Sequence, residues 1–275
     1  MYAYQPESKS WASKFLASQS NALVLATRPS NSQGTRFVIG EFSVHNRSGG
    51  AAVVGIGGRL PVSLWSFGFW DDSEYAAGTV YANDTTDAQD ADTGDVNLDT
   101  VGTNNDGFVI GCDVPFNIAS LHISQASANG TIWAAYYSIA SAGTGFGSNF
   151  TQLSNLYVAP SFGSTGEQLL WFEPPVDWHK VGTSTAIVNR HGLTVPSQYL
   201  LVVKATTAPD TTRGQMSLAV LGRMFGSTEN VADNGILNNI GGKEIYLPPQ
   251  CDAICAAIST ANSQNRADVK WCYAG

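Results

Sequence analysis

The stretch of sequence that decides the fold runs from Gly107 to Thr207 and contains four apolar blocks. They read GFVIGCDVPFNIASLHIS (residues 107–124), TIWAAYYSIA (131–140), GEQLLWFEPPVDWHKV (166–181) and SQYLLVVKATT (197–207). Each block is short, alternating or rich in β-branched residues, and bounded by Gly, Pro, Asn or Ser. Consecutive segments of this kind are typical of antiparallel strands in an all-β sandwich.

The same pattern extends on both sides of this stretch. Residues 35–226 are predicted to form one β-sandwich of about eight to ten strands, which include segments at 37–44, 61–70 and 216–220. Residues 83–106 interrupt the pattern, because they are acidic and poor in apolar side chains. We predict that they form a long loop.

Both ends of the chain are predicted to be extensions of the sandwich. Residues 1–34 form an N-terminal arm with a short helix between Ser8 and Ser18, which docks on its own core or on another subunit. Residues 227–275 form a C-terminal extension with a short helix from Cys251 to about Asn262, followed by a terminal strand at 269–273. The helix is predicted from the apolar positions that fall on one helical face, namely Cys251, Ile254, Cys255, Ile258 and Ala261.

Composition excludes several classes of function. Only 13% of the 275 residues are charged, the net charge is -8, and the 14 basic residues are scattered along the chain. A nucleic-acid-binding protein needs clustered cations, and an anionic membrane surface attracts positive charge, so neither is an expected partner. A surface with few ions suits a protein packed among neighbours, and equally a robust extracellular-type β-protein.

The sequence also indicates where the protein is made. The first residues lack a charged-then-apolar leader, and no apolar run approaches the ~18 residues of a membrane span. We therefore expect synthesis in a cytosol and four reduced thiols. A Cys251–Cys272 or Cys255–Cys272 bridge is an alternative only in an oxidising setting.

No motif predicts catalysis, a cofactor or a zinc site. The sequence has neither a Gly-x-Ser-x-Gly elbow nor an HExxH pattern, so no catalytic, cofactor-binding or metal residue is assigned. An enzyme alternative rests on Glu173 and Asp177, a carboxylate pair of the kind found in sugar-cleaving sites, and it requires a pocket where the two converge.

The acidic loop at residues 83–106 allows a weaker metal hypothesis. Asp90, Asp92, Gly94 and Asp95 partly imitate a calcium loop, but an EF-hand needs a Glu where Val101 stands. A solvated, turn-rich loop is the favoured interpretation.

Four tryptophans flank predicted turns. Such side chains stack on sugar rings, line a subunit interface or close the core of the sandwich, and core packing is their commonest role. They are Trp65, Trp70, Trp171 and Trp178.

A series of motifs in residues 81–222 resembles the virion structural proteins of tailed bacteriophages. The matching pieces are YANDTTD (81–87), NDGFV (105–109), PFN (115–117), Trp133 with Tyr136 and Tyr137, EQLLWFEPPVDW (167–178) and residues 199–207. The resemblance covers about half of the chain. It implies a jelly-roll-like antiparallel sandwich and a non-enzymatic capsid decoration (cement) protein that binds the outside of a phage capsid and stabilises it. A fibre or baseplate component and a carbohydrate-binding jelly roll for host attachment are the alternatives.

The resemblance implies partners and a location. The expected partners are the major capsid protein and copies of the chain itself, as a trimer, within a virion, and a glycan remains an open alternative. The segments at both ends would supply the contacts. The candidate assembly residues are Tyr2, Tyr4, Trp11, Phe15, Ile254, Ile258 and Trp271.

Overall fold

The computed structural model describes residues 10–15, 23–28, 36–70, 82–90, 96–128, 130–140, 146–182, 197–239, 242–260, 262 and 264–274. These residues form antiparallel β-sheets, which confirms the all-β prediction. No α-helix occurs among them, and their helical content is limited to short 3-10 helices at Val62–Leu64, Asp87–Gln89 and Phe146–Ser148.

The strands are numbered in chain order. They are β1 (Ser10–Phe15), β2 (Leu23–Thr27), β3 (Arg36–His45), β4 (Ala52–Arg59), β5 (Trp65–Trp70), β6 (Ala82–Asn83), β7 (Val96–Asn97), β8 (Gly107–Cys112), β9 (Ile118–Gln125), β10 (Ile132–Ser138), β11 (Phe150–Gln152), β12 (Leu156–Val158), β13 (Gly166–Phe172), β14 (Lys180–Gly182), β15 (Ser197–Thr207), β16 (Gln215–Val231), β17 (Ile236–Asn238), β18 (Ile245–Tyr246), β19 (Ala253–Ile258) and β20 (Arg266–Ala274).

The chain divides into two units. Unit 1 contains Met1–Pro61 and Leu221–Gly275, and unit 2 contains Val62–Val220. These boundaries differ from the predicted arm, sandwich and extension, because the two ends of the chain pair with each other. Such pairing joins segments far apart in sequence and leaves no local pattern from which it could be predicted.

Unit 1 contains two antiparallel groups of strands. The first has the order β1–β20–β3–β17, with β18 also paired to β3. The second has the order β16–β4–β19–β2, with β16 contributing residues 221–231. The predicted terminal strand is confirmed as part of β20.

Unit 2 also contains two antiparallel groups. One has the order β11–β10–β15–β8–β5–β6, with β14 paired to β15. The other has the order β12–β13–β9–β16, with β7 also paired to β16. The predicted strands in the stretch from Gly107 to Thr207 are confirmed as β8, β9, β10, β13 and β15.

The first sheet of unit 2 has apolar side chains on both faces. On one face Trp70, Val109 and Leu200 belong to a single buried cluster. Phe108 and Val109 are neighbours on β8, so their side chains point to opposite faces of the sheet. On the face of Phe108, Phe67 stacks on its ring, with centroids 5.1 Å apart. A strand covered on both faces needs no polar alternation, and all six residues of β8 are buried.

Both predicted terminal helices are wrong. Residues 253–258 form β19, in which every residue is buried, and residues 10–15 form β1. The apolar run in β19 satisfies helical spacing only because nearly every position is apolar, as burial of both strand faces requires.

Candidate functional site

A cleft of about 280 Å³ in unit 2 contains the carboxylate pair predicted from the sequence, Glu173 and Asp177. Residues 173–177, which follow β13, form one wall, and residues 151–155, from the end of β11 to the start of β12, form the other. Tyr137 of β10 completes the lining. The volume is at the lower end of the range for small-molecule sites.

The wall after β13 is a rigid turn. Pro174 and Pro175 end the strand and fix their own backbone φ angles. Trp178 anchors the end of the turn, because it is buried and its indole N–H donates to the Leu200 carbonyl at 3.1 Å. Its backbone N–H donates to the Pro175 carbonyl at 3.3 Å, which closes the turn.

The opposite wall is anchored in the same way. Leu153 is buried and its backbone N–H donates to the Ala135 carbonyl at 2.8 Å. The two walls are joined directly, because the Glu173 N–H donates to the Asn155 carbonyl at 2.9 Å. Both walls of the cleft are therefore tied by backbone hydrogen bonds to the strands of unit 2.

Two carboxylates converge on this cleft. The Tyr137 hydroxyl donates to Asp177 Oδ1 at 3.0 Å, which orients that carboxylate, and Glu173 lines the same wall. Burial, followed by the hydrogen bond to Asp177, raises the pKa of Tyr137. Burial, followed by the charge of Glu173, raises the pKa of the neighbouring Tyr157. No Lys, Arg or His is among the described lining residues, so the cleft is negative.

The tryptophans weighed from the sequence do not serve as sugar platforms. Trp65, Trp70, Trp171 and Trp178 are at most 7% exposed and pack in the core. Trp178, for example, lies 5.2 Å from Phe116 between ring centroids. These four side chains therefore have the core-packing role, and the exposed Trp that a carbohydrate-binding jelly roll would need is not among them.

The candidate assembly residues occupy different environments. Trp11 and Phe15 belong to β1, and Tyr2 and Tyr4 lie outside the described residues. Trp271 of β20 is half-buried and packs edge-on against Phe37, with ring centroids 5.4 Å apart. The remaining two candidates, Ile254 and Ile258, are fully buried in β19 and belong to the core of unit 1.

A Ser-x-His pattern in unit 2 was missed by the sequence reasoning. On β9, Ser120 Oγ donates to Glu167 Oε2 at 2.7 Å, and His122 Nδ1 lies 3.1 Å from Glu167 Oε1, beside a groove of about 660 Å³. The carboxylate stands between the hydroxyl and the imidazole. A catalytic triad needs the imidazole in the middle, so this arrangement does not activate the serine.

Unit 1 carries a second cluster of the same composition. Ser43 Oγ lies 3.1 Å from His45 Nε2, and Asp268 Oδ2 lies 3.7 Å from that same nitrogen. The serine hydroxyl and the carboxylate both approach the same ring nitrogen, His45 Nε2, so the imidazole cannot pass a proton from the serine toward the carboxylate. Arg266 Nη2 pairs with Asp268 Oδ1 at 2.8 Å, and the guanidinium partly neutralises the charge of that carboxylate. A Ser-x-His pattern with an acid on the facing strand was the available signal for both clusters.

The predicted acidic loop is more structured than its composition indicates. Asp99 is buried and accepts hydrogen bonds from Ser127 Oγ at 2.6 Å and from the Gly214 N–H at 2.7 Å. Burial raises the pKa of Asp99, and these two hydrogen bonds oppose the shift. The proposed calcium ligands at 92–95 lie outside the described residues. Among the described residues, no group of three or more His, Cys, Asp or Glu could hold a metal ion.

The thiols are poor candidates for chemistry. None of the four cysteines forms a disulfide, and burial raises the pKa values of Cys112, Cys251 and Cys255 to about 12. A thiolate is the reactive form, so these side chains act as small apolar groups in the core.

The sequence identified one wall of the cleft and missed the other. The sequence predicts Glu173 and Asp177 as a pair, whereas it places Tyr137 only in a strand and in the phage-like motifs, and it gives no signal for Asn155. Their approach depends on how β10, β11 and β12 pack, which local patterns do not encode.

Comparison with known proteins does not assign a family. No protein-family model, no curated protein and no solved structure matches the chain. Among the described residues, no helix has the length and apolar character to cross a membrane.

Proposed function

We propose that this chain is a non-enzymatic virion structural protein of the decoration type, which binds the outside of a phage capsid and stabilises it. The resemblance in residues 81–222 supports the virion setting. An antiparallel all-β chain with 13% charged residues suits a role in which surfaces pack together, because few ions need to be desolvated at a contact.

The observation that carries the proposal is the position of β1. It pairs with β20 from Ser10 opposite Trp271 to Phe15 opposite Arg266, and it is the end strand of the described sheet. Strands at a sheet edge bind an extended segment of a neighbouring protein through backbone hydrogen bonds. β1 contains Trp11 and Phe15, two of the candidate assembly residues.

The partners proposed are the major capsid protein and further copies of this chain, as a trimer. We also propose that unit 2 is a jelly-roll-like sandwich. Its two antiparallel groups of strands support this connectivity. An experimental structure in which the two groups do not face each other would rule out the sandwich.

The proposal is tested by adding the purified full-length chain to capsids that lack it and measuring co-sedimentation. We expect saturable binding, an oligomer by light scattering, and capsids that resist heating better than undecorated ones. Binding to isolated tails, with none to capsids, would favour a fibre or baseplate component instead.

A charge on the edge strand provides the sharper test. Trp11→Lys places a charge on β1, and charged edge strands resist strand addition, so we expect capsid affinity to fall about tenfold or more. The control is Ile132→Lys on β10, where the native side chain is 59% exposed. Equal capsid affinity for both variants and the wild type would contradict a role for β1.

A further inference from the structure

We propose that the cleft between residues 151–155 and 173–177 binds a neutral carbohydrate. This goes beyond the structural role proposed above, since a capsid-binding protein needs no such site, and it adds recognition of an external glycan.

The cleft is preorganised. Its walls are joined by the hydrogen bond from Glu173 N–H to the Asn155 carbonyl, and the buried side chains of Leu153 and Trp178 hold each wall from beneath. The Tyr137 hydroxyl fixes one oxygen of Asp177 and leaves Oδ2 available. A ligand therefore meets side chains whose backbone positions are already set, which lowers the entropic cost of binding.

The polar lining matches a polyhydroxylated ring. The Gln152 and Asn155 side-chain amides each offer donors and an acceptor, and the Glu173 carboxylate offers acceptors. All three residues are exposed at the cleft, and no hydrogen bond to their side chains occurs within the described part of the chain, so their polar atoms face solvent and can be reached by a ligand. Sugar hydroxyls donate and accept at once, so they can satisfy both kinds of group.

Charge narrows the ligand class further. The two carboxylates repel sialylated, sulfated and phosphorylated glycans, and no cation among the described lining residues compensates. An ammonium ligand offers donors only and would leave the amide N–H groups unmatched. Calcium needs six to eight oxygen ligands, and the described residues contain no cluster of three or more acidic, His or Cys side chains that could hold a metal.

Apolar contacts in the cleft are small. Val176 is fully exposed at the tip of the turn, beside Pro174 and Pro175, and can cover the C–H face of a sugar ring. Because no indole ring is among the described lining residues of the cleft, we expect weak binding, with a Kd on the order of 1 mM for a single sugar ring.

The test is a titration of the full-length protein followed by NMR or by calorimetry. The probes are glucose, galactose, mannose and N-acetylglucosamine, with a trisaccharide of each, and sialyllactose and calcium chloride as separate arms. We expect saturable binding of at least one neutral sugar and no binding of sialyllactose.

The double variant Glu173→Gln, Asp177→Asn should weaken binding of the neutral sugar about tenfold or more, because hydrogen bonds to charged acceptors are lost. Asn can still accept from Tyr137, so the turn keeps its shape.

The control is Glu244→Gln in unit 1, where Glu244 accepts from the Tyr246 hydroxyl at 3.0 Å on an exposed surface. It removes a carboxylate paired with a tyrosine, like Asp177, but Glu244 does not belong to the described lining of the cleft, so the variant should leave sugar binding unchanged. The proposal is overturned if no neutral sugar binds saturably, if the double variant binds as well as the wild type, or if only calcium or sialyllactose binds. Capsid co-sedimentation is a separate readout, so failure of either proposal can be recognised by itself.

Discussion

Asn46 is a buried side chain that joins its own turn, residues 46–50, to the end of β16 in unit 1. It has no exposed surface, and its Nδ2 donates to the Gly50 carbonyl at 2.7 Å and to the Val231 carbonyl at 2.8 Å. Its Oδ1 accepts from both the backbone N–H and the hydroxyl of Ser48, at 3.0 Å and 2.6 Å. One amide thus satisfies donors and acceptors that would otherwise be buried without partners.

We expect Asn46→Asp to lower the free energy of unfolding of unit 1 by about 3 kcal/mol. The carboxylate cannot donate, so it would face the Gly50 and Val231 carbonyls with no proton between them. Chemical denaturation followed by intrinsic fluorescence measures the change. The control is Asn262→Asp, because Asn262 uses only its Oδ1, which accepts from the Gln264 N–H at 2.8 Å. Equal stability of the two variants would show that the donor side of Asn46 contributes nothing.

At the scale of an element, β4 illustrates how tightly the strands of unit 1 approach one another. Gly57 lies between Met224 of β16 and Cys255 of β19 in the sheet. A Cβ built on Gly57 would lie 2.1 Å from the Arg223 carbonyl oxygen and 2.5 Å from Met224 Cα. Both are backbone atoms, so rotation of a side chain cannot relieve the clash.

Gly57→Ala should therefore destabilise unit 1 by about 3 kcal/mol, through displacement of β16 from β4. Gly50→Ala is the matched control in the same unit, since nothing lies within 4 Å of its Cβ position and its φ is not positive. Thermal unfolding of the two variants measures the difference. If Gly57→Ala unfolds at the same temperature as Gly50→Ala, β4 and β16 must be far enough apart to accept a methyl group at residue 57.

The elements also show which parts of the fold the sequence could predict. Strands with alternating or β-branched blocks, such as β9 and β15, follow from local pattern because one residue in two faces a different environment. β19 does not, since its sequence AICAAI is buried at every position and fits a helix as well as a strand. Local spacing cannot separate these cases, and the choice is made by the pairing of β19 with β2 and β4.

At the scale of the whole molecule, the ends of the chain decide the division into units. β1 and β2 come from the beginning of the chain and pair with β20 and β19 from its end. The sequence predicts an arm and an extension at these ends, because neither segment reveals its distant strand partner. The cleft was half-predicted for the same reason: Glu173 and Asp177 are close in sequence, whereas Tyr137 reaches them only through the fold.

This arrangement makes β20 the strand on which the first sheet of unit 1 depends, because it pairs with β1 on one side and with β3 on the other. We expect a chain that ends at Asn265 to lose both pairings, and the amides of β3 to exchange with solvent at least about a hundredfold faster. Hydrogen exchange followed by mass spectrometry measures this. β8 of unit 2, which pairs with β5 and β15, provides an internal reference, and a chain that lacks only Gly275 controls for truncation itself. If the amides of β3 keep their native protection from exchange in the chain that ends at Asn265, the pairing of β3 with β17 and β18 is enough to hold that strand.

If the amides of β8 lose protection as well, the two units do not fold separately.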